Sequence, residues 1–276
     1  MCWKWLTGSG SSNPGPEISD DEFLSATHKA LLFGINDYPG KQNDLRGCVN
    51  DINDREARLK QFWPQFKIRK YLDDQATIAN FRTEAEKAIA SVPPGGVVVV
   101  PFDSCFSGTA TRAGNKSTLY RKSRFMDPGL PPRKLVRRIA RNGGLTDIKW
   151  LAYSACLESQ TAADALIGGR YNGAFTYYDV AEMVPGITYA EHYRRIRRHL
   201  PSPIYTQVPG LEGPEELQNE ILYERPTLII AFSGDGSFQY AADTTTEADG
   251  MDETIVLHDG HLPDNIINSI LMKIAV

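Results

Sequence analysis

Cys105 stands in Phe102-Asp103-Ser104-Cys105-Phe106-Ser107-Gly108-Thr109, directly after the apolar run at 97–100. That position is the carboxyl end of a strand buried on both faces, where open α/β sheets carry their chemistry. Cysteine is often a small buried hydrophobe. The polar, glycine-bearing flank argues instead for a nucleophile, a thiol that attacks a carbonyl once it is deprotonated. The remaining cysteines, Cys2, Cys48 and Cys156, show no metal-ligand spacing, and so few in so long a chain make no disulfide framework.

The elements that must hold Cys105 are legible from periodicity. Ala30-Leu31-Leu32-Phe33-Gly34-Ile35 is a short apolar run closed by the turn residues Asn36-Asp37-Tyr38-Pro39-Gly40, which predicts a first buried strand. Ile52, Leu59 and Phe62 recur at helical spacing from Asn50 until Pro64, and a second strand is expected over 67–72. Thr77 opens a further helix with Ile78, Phe81, Ala85, Ala88 and Ile89 on one face, ended by Pro93-Pro94-Gly95-Gly96 before the strand that leads to Cys105. A helix over 133–140, a strand over 148–153 and a helix over 188–199 follow. This alternation predicts an α/β fold with a mostly parallel central sheet and helices on both faces. Residues 7–19, rich in Ser, Gly and Pro, predict a flexible lead-in over 1–27, with a single domain over 28–276.

Composition narrows the class. The chain has 276 residues and a formal net charge of −4, with no window of 18 uninterrupted apolar residues and no apolar signal-peptide core at the start, so a soluble, cytoplasmic protein without membrane contact is expected. Residues 112–141 hold ten Lys or Arg against the single acid Asp127, whereas 240–265 hold seven Asp or Glu and no Lys or Arg. The two stretches are expected to complement each other. The basic one lacks interleaved stacking aromatics, which argues for a solvated face and against a nucleic-acid partner.

Asp-Ser-Cys-x-Ser-Gly, taken with Gly34-Ile35-Asn36-Asp37-Tyr38, Leu45-Arg46-Gly47-Cys48-Val49-Asn50-Asp51, Ser154-Ala155-Cys156-Leu157-Glu158-Ser159-Gln160-Thr161-Ala162-Ala163-Asp164 and Gly173-Ala174-Phe175-Thr176-Tyr177-Tyr178, resembles the metacaspases and orthocaspases. These are caspase-fold cysteine peptidases. In that family a histidine loop lies between the third strand and the Asp-Ser-Cys motif. Here the matching string, Ile229-Ile230-Ala231-Phe232-Ser233-Gly234-Asp235-Gly236, lies far downstream, so residues 227–276 correspond to an internal family segment displaced to the C-terminus. The displaced run at 227–232 is apolar on both faces and is expected to pair beside the strand at 97–102.

The resemblance implies an endopeptidase that cleaves protein or peptide substrates after Arg or Lys, with Cys105 as nucleophile and Asp235 at the family histidine position. It implies a pocket of Cys48, Asp51, Asp103 and Ser233 for the substrate cation, since buried carboxylates recognise a guanidinium by charge-assisted bonds. Asp51 read alone also fits a helix N-terminal residue offsetting the dipole. Arg121, Lys122 and Arg124 are implied self-cleavage sites. No cofactor is required. Calcium is an option through Asp252 and Asp264, although Asn265 and Arg112 stand where further acids are expected. An aspartate with an ordinary pKa of about 3.9 is ionised near neutrality and opposes thiolate formation, which predicts impaired turnover. The alternative is a pseudoenzyme that binds basic peptide segments without cutting them. His258 and His261, in the displaced segment, are expected to be structural.

Overall fold

The computed structural model describes residues 18–105, 121–130, 150–157, 160–242 and 250–274. The helix expected over 133–140, the first residues of the strand expected over 148–153 and most of the basic stretch lie outside them.

Helix α1 (Asp20–Ser25) precedes the first strand, β1 (His28–Gly34). Next come α2 (Cys48–Phe62), β2 (Lys67–Leu72), α3 (Ile78–Ala90) and β3 (Val97–Asp103), each within two residues of where periodicity sets its start. Thr77 caps α3 by accepting from the Asn80 N–H, as its place before the apolar face predicts. The later elements are β4 (Arg121–Ser123), β5 (Leu151–Ser154), β6 (Ala163–Ile167), β7 (Arg170–Gly173), α4 (Ala174–Glu182) and α5 (Tyr189–His199). They are followed by β8 (Gly210–Glu212), α6 (Glu215–Gln218), β9 (Thr227–Ser233), β10 (Gly236–Tyr240), β11 (Met251–Leu257), β12 (Gly260–Pro263) and α7 (Asp264–Leu271).

The central sheet has the order β2-β1-β9-β3-β5-β8, parallel except for the edge strand β8. Successive side chains on a strand face opposite ways, and here that alternation feeds two cores. Ala30, Leu32, Val97, Val99, Ile229 and Ala231 join one, under Ile52 and Leu59 of α2 and Phe175 of α4. Leu31, Phe33, Val98, Val100, Leu228 and Ile230 join the other, under Phe81 and Ala85 of α3 and Ile267 and Ile270 of α7. A strand needs both covers to be apolar throughout, which is why the runs in β1, β3 and β9 do not alternate with polar residues.

The displaced run forms β9, inserted between β1 and β3, with Ser233 in register with both Gly34 and Asp103. Because all three strands are parallel, their carboxyl ends open on one edge. Asp235 and Cys105 therefore reach the same place from segments 130 positions apart in the chain. Two small antiparallel sheets, β4-β6-β7 and β10-β11-β12, flank that edge.

One boundary differs from the sequence expectation. The lead-in through residue 27 contains α1, whose Ser19 accepts from the Glu22 N–H and whose Phe23 is fully buried with the Arg69 guanidinium 4.5 Å over its ring. Two adjacent apolar residues, Phe23 and Leu24, after three acids make no periodic signal, and only tertiary packing reveals the helix.

Candidate active site

Cys105 lies just beyond β3 and is fully buried. Its sulfur accepts from the Ala162 N–H at 2.5 Å, and its thiol faces the Ala162 carbonyl at 3.5 Å. Burial, followed by the neighbouring Cys156 thiol, pushes the Cys105 thiol well above the ordinary thiol range, outweighing the Ala162 N–H, which favours the anion.

The pocket beside it is built by four elements. Asp51 comes from the first turn of α2, Asp103 ends β3, Ser233 ends β9, and Asp164 comes from β6; all are buried. At their centre sits Arg124, itself fully buried. Its Nη2 donates to Asp51 Oδ2 at 2.7 Å and to Asp164 Oδ1 at 3.2 Å, and its Nη1 donates to Ser233 Oγ at 2.7 Å and to the Asp103 carbonyl at 3.2 Å. The Asp103 carboxylate lies 3.2 Å from Nη1. Ser233 in turn donates to Asp51 Oδ2 at 2.8 Å, and Asp51 also accepts from the Gly173 N–H and from Asn172. Burial alone would lower the Arg124 pKa, but the surrounding anions, Asp103 first among them, hold it well above the usual value. Burial pushes Asp51 up to about 7 against the pull of Arg124. Asp51 thus faces a guanidinium as well as opening a helix. Cys48, also buried, has its thiol pushed well up by burial and lies against Ser233.

The Arg124 main chain is equally fixed. Residues of β4 pair antiparallel with β6, and the Arg124 N–H donates to the Ala162 carbonyl at 3.0 Å. The Arg124 carbonyl accepts from the N–H groups of Cys105 and Gly236, each at 3.1 Å. Two converging backbone N–H groups beside a thiol have the form of an oxyanion hole. A side chain at Gly236 would run into the Cys105 carbonyl, so only glycine brings that second donor close enough.

Asp235 follows β9 and is buried, its backbone N–H donating to Tyr38 Oη at 2.7 Å and its Oδ1 without a hydrogen-bond partner. Burial pushes it up to about 8, with Lys122 and Arg124 drawing it down. This corrects the expectation of an ionised aspartate: with no water to hydrate the anion, the carboxyl keeps its proton at neutral pH. All five histidines have other partners, among them the Tyr223 carbonyl for His28, the Asp179 carbonyl for His192, Glu182 for His199, the Asp37 carbonyl for His258 and Thr254 for His261.

Asp252 lies in β11 and Asp264 at the start of α7, where the amide nitrogen of the next residue, Asn265, donates to Asp252 Oδ1 at 3.4 Å. Among the described residues no group of three or more His, Cys, Asp or Glu comes together to hold a metal ion. Calcium takes roughly six to eight oxygens; Asp252 Oδ2 and Asn265 Oδ1 are buried oxygens without a hydrogen-bond partner, and the adjoining residues 243–249 lie outside the described ones. Most of the basic stretch and residues 243–249 of the acidic one lie outside the described residues, so their pairing is outside them too; the acids around Arg124 come from three other elements.

Sequence reasoning placed Cys48, Asp51, Asp103 and Ser233 in one pocket, and they do adjoin one another. It missed Asp164, although that residue closes the Thr161-Ala162-Ala163-Asp164 string. It also named Arg124 without foreseeing that Arg124 fills this pocket.

The Caspase domain family model matches residues 27–126. Metacaspase-1 of Mycosarcoma maydis is 23% identical over 310 residues, covering 72% of this chain and 73% of that protein. A solved structure of a Geobacter sulfurreducens protein has a similar fold, with a TM-score of 0.53 and 17% identity, covering 72% of this chain and 99% of that one. Sheet order and matches together give the chain a caspase-like fold. The likeness is to the caspase-domain proteins over residues 27–126 and to a metacaspase over 72% of the chain.

Proposed function

We propose that the chain is a cysteine endopeptidase that cleaves after Arg or Lys and works slowly as it stands, because Asp235 occupies the histidine position. The observation that carries this reading is Arg124: its guanidinium fills a pocket of carboxylates while its own carbonyl lies between the Cys105 and Gly236 N–H groups. An arginine of the same chain thus stands where a substrate arginine would, and the Arg124–Phe125 bond is the self-cleavage site. Cys105 Sγ attacks the Arg124 carbonyl carbon, the oxyanion is held by the two N–H groups, and the Phe125 amine leaves after gaining a proton; water then releases the acyl group.

Asp235 limits the first step. Near neutrality it is protonated and able to donate to a leaving amine, but it cannot take the proton of a thiol whose own pKa burial has raised. The same observation supports a second reading, a pseudoenzyme that holds basic segments uncut. Asp235→His separates the two: general acid-base help is worth roughly 100 to 10,000-fold, so cleavage of an Arg-ended peptide and of the Arg124–Phe125 bond should rise by at least about 100-fold and vanish on adding Cys105→Ala. An Asp235→His protein that binds the peptide yet cuts no faster leaves the pseudoenzyme reading standing.

A further inference from the structure

The contacts of residues 121–126 extend on both sides of Arg124. We propose that the cleft reads a six-residue run, with separate seats for a basic side chain two residues before the cut bond's arginine, for a second cation one residue earlier, and for an aromatic side chain directly after the bond. This rests on the reading of Cys105 and Arg124 as nucleophile and cut-site arginine, and it names the substrate class as basic segments followed by an aromatic residue.

The backbone sets the frame. Arg121, Lys122 and Ser123 pair in antiparallel register with Ala165, Asp164 and Ala163. Beyond the bond, the Met126 N–H donates to the Gly236 carbonyl at 2.9 Å, and Ser237 Oγ donates to the Met126 carbonyl at 2.8 Å. Main-chain pairing of this kind binds any sequence, so discrimination must come from the side-chain seats.

The first seat is a pair of carbonyls. Lys122 Nζ donates to the Gln42 and Asp44 carbonyls, each at 2.8 Å. An ammonium has only donors to offer, and two carbonyl oxygens suit it. A carboxylate placed there would face two acceptors with nothing to donate. The second seat holds Arg121, whose Nη1 donates to the Ile204 carbonyl at 2.9 Å while its guanidinium carbon lies 6.0 Å from the Tyr205 ring centroid. Across the bond, Phe125 stacks on Phe238 with centroids 6.0 Å apart and planes 25° from parallel. Ser123, between the two main cations, has a hydroxyl without a hydrogen-bond partner and calls only for a small residue.

Because the first seat is made of backbone, the test changes the peptide. In the full chain, Arg121, Lys122, Arg124 and Phe125 are replaced by serine to empty the cleft and Cys105 by alanine to prevent cutting. Binding of fluorescein-labelled Arg-Lys-Ser-Arg-Phe-Met is followed by anisotropy. Glutamate for the lysine should weaken binding at least about 10-fold, because an anion then faces two unpaired acceptors. Alanine for the phenylalanine should weaken it several-fold, and Phe238→Ala should erase the difference between those two peptides. Alanine for the second arginine controls for the underlying reading. If that peptide loses binding while the glutamate and alanine changes cost nothing, the seats are wrong and the cut-site arginine stands. If it binds as well as the parent peptide, or no peptide binds, the cut-site reading fails and takes this inference with it. Should the emptied variant not fold, the comparison moves in cis. Lys122→Glu in the Asp235→His chain should slow cleavage of the Arg124–Phe125 bond at least about 10-fold, and an unchanged rate overturns the proposal.

Discussion

Replacing Arg124 with methionine keeps most of the side-chain volume and removes the charge at the centre of the cleft. Asp51 and Asp164 would lose the guanidinium donors at 2.7 and 3.2 Å, Asp103 its ion partner at 3.2 Å, and Ser233 Oγ the donor at 2.7 Å. Breaking a buried ion pair by removing one partner costs about 3–5 kcal/mol, because the other charge is left without water or a counter-ion. The carboxylates can escape part of that cost by taking up protons. Asp51 already titrates near 7 with Arg124 in place, and without the cation it is pushed higher. A carboxyl whose folded pKa is raised contributes stability that is complete below its unfolded pKa and declines as pH rises through the folded value. The variant's deficit should therefore be smallest near about pH 5 and largest near about pH 8 to 9. With a urea slope of roughly 3 kcal/mol per molar, the midpoint at about pH 8 should fall by on the order of 1 M or more. Equilibrium urea unfolding at the two pH values measures this directly. A deficit that is absent at the higher pH, or larger at the lower, would falsify the account of Arg124 as the counter-ion of these acids. Arg124→Lys keeps the charge but not the planar fork, and should fall between parent and methionine variant.

Asp235 makes a separate prediction of the same sign. Its folded pKa of about 8 means that the parent loses stability between the ordinary carboxylate range and about pH 8, and Asp235→Asn should flatten that part of the stability profile, leaving the variant relatively more stable at the alkaline end. An Asp235→Asn protein with an unchanged pH profile by thermal unfolding would show that the carboxyl is not buried and neutral. Gly236→Ala tests the second oxyanion donor: the added methyl meets the Cys105 carbonyl, so in an Asp235→His chain kcat should drop by roughly 100-fold or more with peptide affinity altered far less. Equal losses in kcat and affinity would mean that the glycine serves packing alone.

Much of the framework is legible in the sequence because it depends on local pattern. The apolar runs in β1, β3 and β9 are hydrophobic throughout, which only a strand covered on both faces requires, and turn or capping residues such as Thr77 and Pro93-Pro94-Gly95-Gly96 punctuate them. A cysteine placed after such a strand is enough to mark the chemical edge of the sheet. The family resemblance likewise brought Asp51, Asp103 and Ser233 to one pocket through three motifs separated in the chain.

What remained was decided by distance in space. Nothing in residues 121–124 says which of three basic side chains will be enclosed, since that depends on β4 pairing with β6 in one register and not the next; a one-residue slip would turn Arg124 away from Asp51. The ionisation of Asp235 is similarly invisible locally, because a carboxyl's pKa follows from the water it loses and the charges around it, which here are Lys122, Arg124 and Asp164, all far upstream in the chain. Phe23 and Asp164 carried too little pattern to be singled out, one a lone aromatic among acids and the other a single acid at a strand. Periodicity reports which face of an element is dry, whereas charge pairing and proton affinity depend on what the completed fold places opposite that face.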